Sequence, residues 1–143
     1  MSEAKQVNVQ NANFNRMSPQ AEDEMEIGIG IHGEPGTHRD KLMSANEIAD
    51  HLLEKILADI DYVGSEVAVM INSSGATPLM ELYIINNRVA DVLASKGIKV
   101  YKTFVGEYMT SIEMAGFSIS VLRLDDQMKQ LLDAKADTPA IKA

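Results

Sequence analysis

Ile48, Leu52, Leu53, Ile56, Leu57 and Ile60 fall at the spacing that lines one face of an α-helix. Ser44-Ala45-Asn46-Glu47 stands in front of them as a capping box. The serine hydroxyl accepts from the Glu47 amide and the Glu47 carboxylate reaches back, so a helix is expected from there to about Ile60. A second helical stripe, Leu79, Leu82, Tyr83, Asn86, Val89, Ala90 and Leu93, runs up to Gly97. Thr77 reads as its N-cap and Pro78 as its first helical residue. Val67 to Ile71 is an unbroken apolar run, the pattern of a strand covered on both faces. Met25 to Ile31 alternates instead, with Ile27, Ile29 and Ile31 on one face and Glu26, Gly28 and Gly30 on the other. The two glycines leave that second face bare, which suits close approach by backbone, a ligand or another domain. Further strands are expected at Ile98 to Val105 and Phe117 to Leu124, with a short helix or turn at Glu107 to Ala115 between them. Asp125 and Asp126 put negative charge where a last helix would begin.

Strands alternating with helices predict an α/β fold. The expectation is a single domain with a mixed or mostly parallel sheet of about four to five strands and flanking helices. Residues 1–23, rich in Asn, Gln and Ser, read as a flexible leader before a domain at residues 24–143. In open α/β sheets ligands sit outside the carboxyl ends of strands. Two special loops, His32-Gly33-Glu34-Pro35-Gly36 and Asn72-Ser73-Ser74-Gly75-Ala76-Thr77-Pro78, are expected to leave from such ends.

Composition narrows the function classes. The chain has 21 acidic and 13 basic residues, a net charge of −8, which argues against nucleic acid and against an anionic membrane surface as partners. No window approaches the roughly 18 apolar residues of a membrane span. The polar start lacks a signal-peptide core, so a cytoplasmic location is expected. With zero cysteines, disulfides, thiol nucleophiles and cysteine zinc sites are excluded.

The candidate chemistry centres on three histidines. His32, flanked by Gly30 and Gly33, could serve as a nucleophile, an acid/base group or a ligand, or simply be structural. Pairing of His32 with His38 on a metal lacks a third ligand at a diagnostic spacing, so no metal is expected. His51 falls on the polar side of its helix and reads as solvated. Glu34 is either a base or a turn residue. Asn72-Ser73-Ser74-Gly75 before a helix either cradles an anion with backbone amides or is a plain turn. Neither a dinucleotide fingerprint nor a P-loop is present.

Five separated stretches then match one family in order. Glu24-Met25-Glu26-Ile27-Gly28-Ile29-Gly30-Ile31-His32-Gly33-Glu34-Pro35-Gly36 resembles the signature of the dihydroxyacetone-binding K subunit of dihydroxyacetone kinase. The likeness continues through Gly75-Ala76-Thr77-Pro78-Leu79-Met80-Glu81-Leu82-Tyr83 and Gly106-Glu107-Tyr108-Met109-Thr110-Ser111. It reaches Glu113-Met114-Ala115-Gly116-Phe117-Ser118-Ile119-Ser120 and the ending Ala136-Asp137-Thr138-Pro139-Ala140.

The resemblance implies that His32 attacks the carbonyl carbon of dihydroxyacetone and forms a covalent hemiaminal, a link that glycerol, lacking a carbonyl, cannot make. Such an attack needs a neutral imidazole, whose ordinary pKa is about 6.5. Gly30, Gly33, Glu34, Gly75 and Thr77 would bind the substrate or shape the site. The resemblance covers only the second of the family's two K-subunit domains; the implied proton-accepting aspartate and a second histidine belong to the missing N-terminal domain. No cofactor is expected on this domain. ATP or ADP with Mg is expected on a separate nucleotide-binding L subunit, which a phosphotransferase system recharges through an M subunit in some bacteria. A homodimer is implied for the full-length family. The alternative is a ligand-sensing or regulatory module derived from the kinase subunit.

Overall fold

The computed structural model describes residues 4–11, 23–30 and 34–142, the first stretch by its backbone alone. Six strands and three helices follow in the order β1 (Ala4–Asn11), β2 (Glu24–Ile27), β3 (His38–Lys41), α1 (Ala45–Asp59), β4 (Glu66–Ser73), α2 (Leu79–Ser95), β5 (Lys99–Gly106), β6 (Gly116–Leu124) and α3 (Asp126–Leu132). They form one sheet in the order β3-β2-β1-β6-β4-β5. Only β4 and β5 pair in parallel among the described strands, and the α2 crossover joins them. The other neighbours are antiparallel.

The expected mixed α/β class holds, with six strands in place of four to five. One of the additional strands is β1, whose eight residues lie inside the stretch read as leader. Its Val7 and Val9 alternate with Gln6, Asn8 and Gln10, too short a period-two signal to stand out in a polar segment. The other is β3, His-Arg-Asp-Lys, exposed throughout and pairing Glu24–Ile27 along the sheet edge. A four-residue charged strand has no apolar pattern to find, and its charges suit an edge that must resist pairing with other chains.

The core lies between one sheet face and α1 and α2. Val67, Val69 and Ile71 of β4 and Ile119 and Val121 of β6 are all at most 1% exposed. They meet Leu52, Leu53 and Ile56 of α1 and Leu82, Val89 and Leu93 of α2. The expected capping box starts α1: Ser44 accepts from Glu47, and its own amide and hydroxyl donate to the Glu47 carboxylate at 2.9 and 2.7 Å. At the end of α2, Gly97 adopts φ +70, which a glycine tolerates. The helix starts one residue later than expected, with Pro78 as N-cap. Residues 107–115 contain no helix; they form turns against β4. At the opposite end of the molecule, Glu66 on β4 holds Lys99 and Lys129 together and so ties α3 to the sheet. No helix of the described residues is long and apolar enough to cross a membrane.

Candidate functional site: two loops on a shared row

The strand carrying the histidine loop ends at Ile27, earlier than its isoleucine pattern suggests, because Gly28 turns with φ +80. Ile27 and Thr37 then close a neck. The Thr37 amide and hydroxyl both donate to the Ile27 carbonyl, at 2.7 and 3.1 Å. Beside them the Gly36 amide donates to Glu26 Oε1 at 2.8 Å. Further out the Gly30 amide donates to the Glu34 carbonyl at 3.1 Å. Residues 31–33, including the expected site residues His32 and Gly33, lie between these two and outside the described residues.

The glycines are required by space. A Cβ on Gly30 would stand 2.0 Å from the Glu34 carboxylate, and one on Gly36 would stand 2.5 Å from Glu26 Cγ and 2.7 Å from the Ile27 carbonyl. Gly30 and Glu34 are therefore brought together.

Gly75 and Thr77 occupy the second loop. Ser73 Oγ donates to the Thr77 carbonyl and accepts from the Gly75 amide. Thr77 Oγ1 donates to the Gly116 carbonyl at 2.8 Å instead of capping α2, which is why the helix begins after it. Gly75 has φ +119, and a Cβ there would meet the Ser111 carbonyl at 2.6 Å. The amides of Ser74, Gly75 and Ala76 donate to Gly116, Ser73 and Met114. Committed inward, they cannot cradle an anion, so the plain-turn reading of this loop holds.

Its central piece is Asn72, expected only as the first residue of the loop. Asn72, 4% exposed, donates from Nδ2 to the Met109 carbonyl at 2.6 Å and accepts at Oδ1 from the Tyr108 and Met109 amides at 2.8 and 2.9 Å. One buried amide thus fastens the Gly106-to-Ser111 turn to the end of β4, satisfying groups that would be costly to leave unpaired. An Asn closing an apolar strand run was the available signal.

The two loops do not leave in the same direction. Three successive antiparallel pairings separate β2 from β4, so these strands run in opposite senses. Ile27 pairs with Val9, Val9 with Phe117, and Phe117 with Ser73. Both strands therefore end in the same row, three strand spacings or roughly 14 Å apart, but pointing opposite ways. The expectation of two loops at one set of carboxyl ends is corrected by this topology. On the Asn72 side, Met25, Leu42, Ile48, Thr77, Glu81 and Phe117 line a cleft of about 400 Å³ between the starts of α1 and α2.

Neither remaining histidine is simply solvated. His38 Nδ1 lies 3.0 Å from the Thr37 hydroxyl. His51 is half-buried, with Nε2 enclosed and without a hydrogen-bond partner among the described residues, and its ring stands edge-on to His38 at 5.4 Å. Among the described residues no cluster of three His, Asp or Glu side chains could hold a metal ion.

A family model described as the Dak1 domain matches residues 3–140. The chain belongs to the Dak1 domain family. Over 107 residues it is 49% identical to the PTS-dependent dihydroxyacetone kinase 1, dihydroxyacetone-binding subunit DhaK, of Listeria innocua, a match covering 74% of this chain and 32% of that protein. Against the PEP-dependent dihydroxyacetone kinase subunit DhaK of Escherichia coli it is 34% identical, covering 85% of this chain and 41% of the other. Among solved structures it is similar to the dihydroxyacetone kinase operon co-activator Dha-DhaQ, with 33% identity and a TM-score of 0.82 over 96% of this chain and 45% of that one. This Dak1 chain thus spans well under half of the length of the relatives it matches. The resemblance to a K subunit read from its motifs agrees with these relatives.

Proposed function

We propose that this Dak1 chain carries the part of a dihydroxyacetone kinase that captures dihydroxyacetone, with His32 as the nucleophile. The observation that carries the reading is the neck at Glu26, Ile27, Gly36 and Thr37, which joins the two arms flanking the segment of the signature histidine, His32. Positioning a nucleophile is one way to accelerate a bimolecular step.

In the proposed step the Nε2 lone pair of the neutral ring attacks the carbonyl carbon. The carbonyl π electrons pass to oxygen, which gains a proton, while the ring gives up its Nδ1 proton and stays neutral. No water leaves, so the product is a hemiaminal. Protonation of the ring removes the lone pair, and capture weakens as pH falls below the ordinary imidazole pKa of about 6.5. Phosphorylation of the held substrate then falls to a partner subunit bearing ATP or ADP with Mg, and the proton on the attacking hydroxyl falls to a group outside this chain. Gly33, Glu34, Gly75 and Thr77 remain proposed site-shaping residues, the last two by holding the Asn72-side loops in place.

Native mass spectrometry with dihydroxyacetone tests the reading. One whole ketone should add per chain without loss of water, and His32→Ala should abolish the addition. An equal gain in mass by the variant refutes capture at His32. A second reading, a ligand-sensing regulatory module, is favoured by the likeness to the operon co-activator. It predicts that the chain, even with the remaining part of a K subunit supplied, fails to restore kinase activity to a strain lacking its K subunit while still binding the ketone.

A further inference from the structure

Among the described residues Glu26 is the one acidic side chain that is buried, at 6% exposure. Burying a carboxylate is costly unless its oxygens are well partnered, and a sheet position of this kind would ordinarily take an apolar residue. The partners explain the choice. Oε1 accepts from the Gly36 amide at 2.8 Å, and Oε2 lies 3.6 Å from Arg39 Nε, on the strand residue that pairs Glu26 in register. Gly36 can have no side chain, since a Cβ would collide with Glu26 Cγ. The carboxylate and the glycine therefore fit each other, at the base of the loop that leads through Gly30 and Glu34.

We propose that Glu26 is a positioning residue for the ketone-capturing histidine. Its carboxylate fixes the Gly36 amide, and with it the descending arm of the loop. Arg39 holds the second oxygen and keeps the first aimed at Gly36. The acceptor oxygen does the positioning, and the charge strengthens that bond. This inference rests on the capture reading above, and the following experiment separates the two.

In the 143-residue chain, amide exchange at Gly36 and Thr37 and the rate of mass addition by dihydroxyacetone are followed for wild type, Glu26→Gln and Glu26→Ala. Glutamine keeps an acceptor of the same reach; alanine removes it. Glu26→Ala should speed Gly36 exchange by about tenfold or more and slow addition at His32 by a similar factor. Glu26→Gln should stay within about threefold of wild type in both. Core amides of β4 and β6 should exchange alike in all three, which distinguishes a loosened loop from a loosened fold. Unchanged Gly36 exchange in Glu26→Ala overturns the clamp, as does a glutamine variant as impaired as the alanine one. If wild type adds no ketone even with the remaining part of a K subunit supplied, the capture reading fails, and the exchange arm still decides whether Glu26 orders the loop.

Discussion

Replacing Asn72 by alanine removes three short hydrogen bonds at once: 2.6 Å to the Met109 carbonyl, and 2.8 and 2.9 Å from the Tyr108 and Met109 amides. A fourth contact, to Ser118 Oγ at 3.4 Å, is too long to add much. Each good intramolecular bond contributes about 0.5–1.5 kcal/mol net. Met109 is exposed and Tyr108 half-buried, so the freed loop groups regain water, while the site of Asn72 itself stays dry. The expected loss is about 2–3 kcal/mol, from the middle of that range and with the bonds not fully additive. Asn72→Asp should cost at least as much at neutral pH. It keeps both acceptor contacts but sets a carboxylate oxygen against the Met109 carbonyl in a buried place. Urea unfolding at equal m-value gives the stability, and exchange of the Tyr108 and Met109 amides gives the local effect. Asn72→Ala within about 0.5 kcal/mol of wild type, with both amides as slow as before, would refute the assignment of Asn72 as the clamp.

Other expectations follow from the same contacts. Gly36→Ala should destabilise the chain by about 1–3 kcal/mol through overpacking against Glu26, whereas Gly64→Ala, at φ +72 with open space, should cost only about 1 kcal/mol of backbone strain; paired denaturant titrations compare them. Lys129 first and Lys99 second hold Glu66 at about 2, below its ordinary value of 4.5. A carboxyl depressed on folding stabilises fully above its unfolded pKa and loses that contribution as pH falls from 4.5 toward 2. Wild type should therefore lose stability across that window faster than Glu66→Gln, as read from urea midpoints; parallel curves would contradict the Lys99 and Lys129 pairing. Leu52→Ala, at a fully buried position of α1, should cost about 2–5 kcal/mol, and a melt shifted by less than 1 kcal/mol's worth would show a core looser than described.

The helices were the most legible part of this chain, for a physical reason. Ser44 and Glu47 cap α1 through contacts three residues apart, and the apolar stripe behind them needs nothing distant to declare itself. What stayed hidden depends on partners far along the chain. Strand β3 owes its existence to pairing with Glu24–Ile27, and its residues alone carry no apolar period. Thr77 had the right chemistry for a cap, yet its hydroxyl reaches Gly116, 39 residues away. The relative direction of β2 and β4 follows from the strands between them, so no local pattern announces that their loops diverge.

The site divides in the same way. Gly30, Gly36 and the loop they permit were visible as a motif, and Gly75 as a turn. The clamping roles of the Glu26 and Asn72 side chains were not legible, because a polar residue in or at the end of a strand is unremarkable until its buried partners are known. His38 and His51 were read as separate side chains, and only the fold sets their rings edge to edge.

The most direct test of the capture proposal uses dihydroxyacetone labelled with ¹³C at the carbonyl and the chain labelled with ¹⁵N at histidine. It is run with this chain alone and with the remaining part of a K subunit supplied. A tetrahedral carbon coupled to a His32 ring nitrogen, absent in His32→Ala, is the expected result. Ketone and free hydrate signals only, in both mixtures, would contradict it.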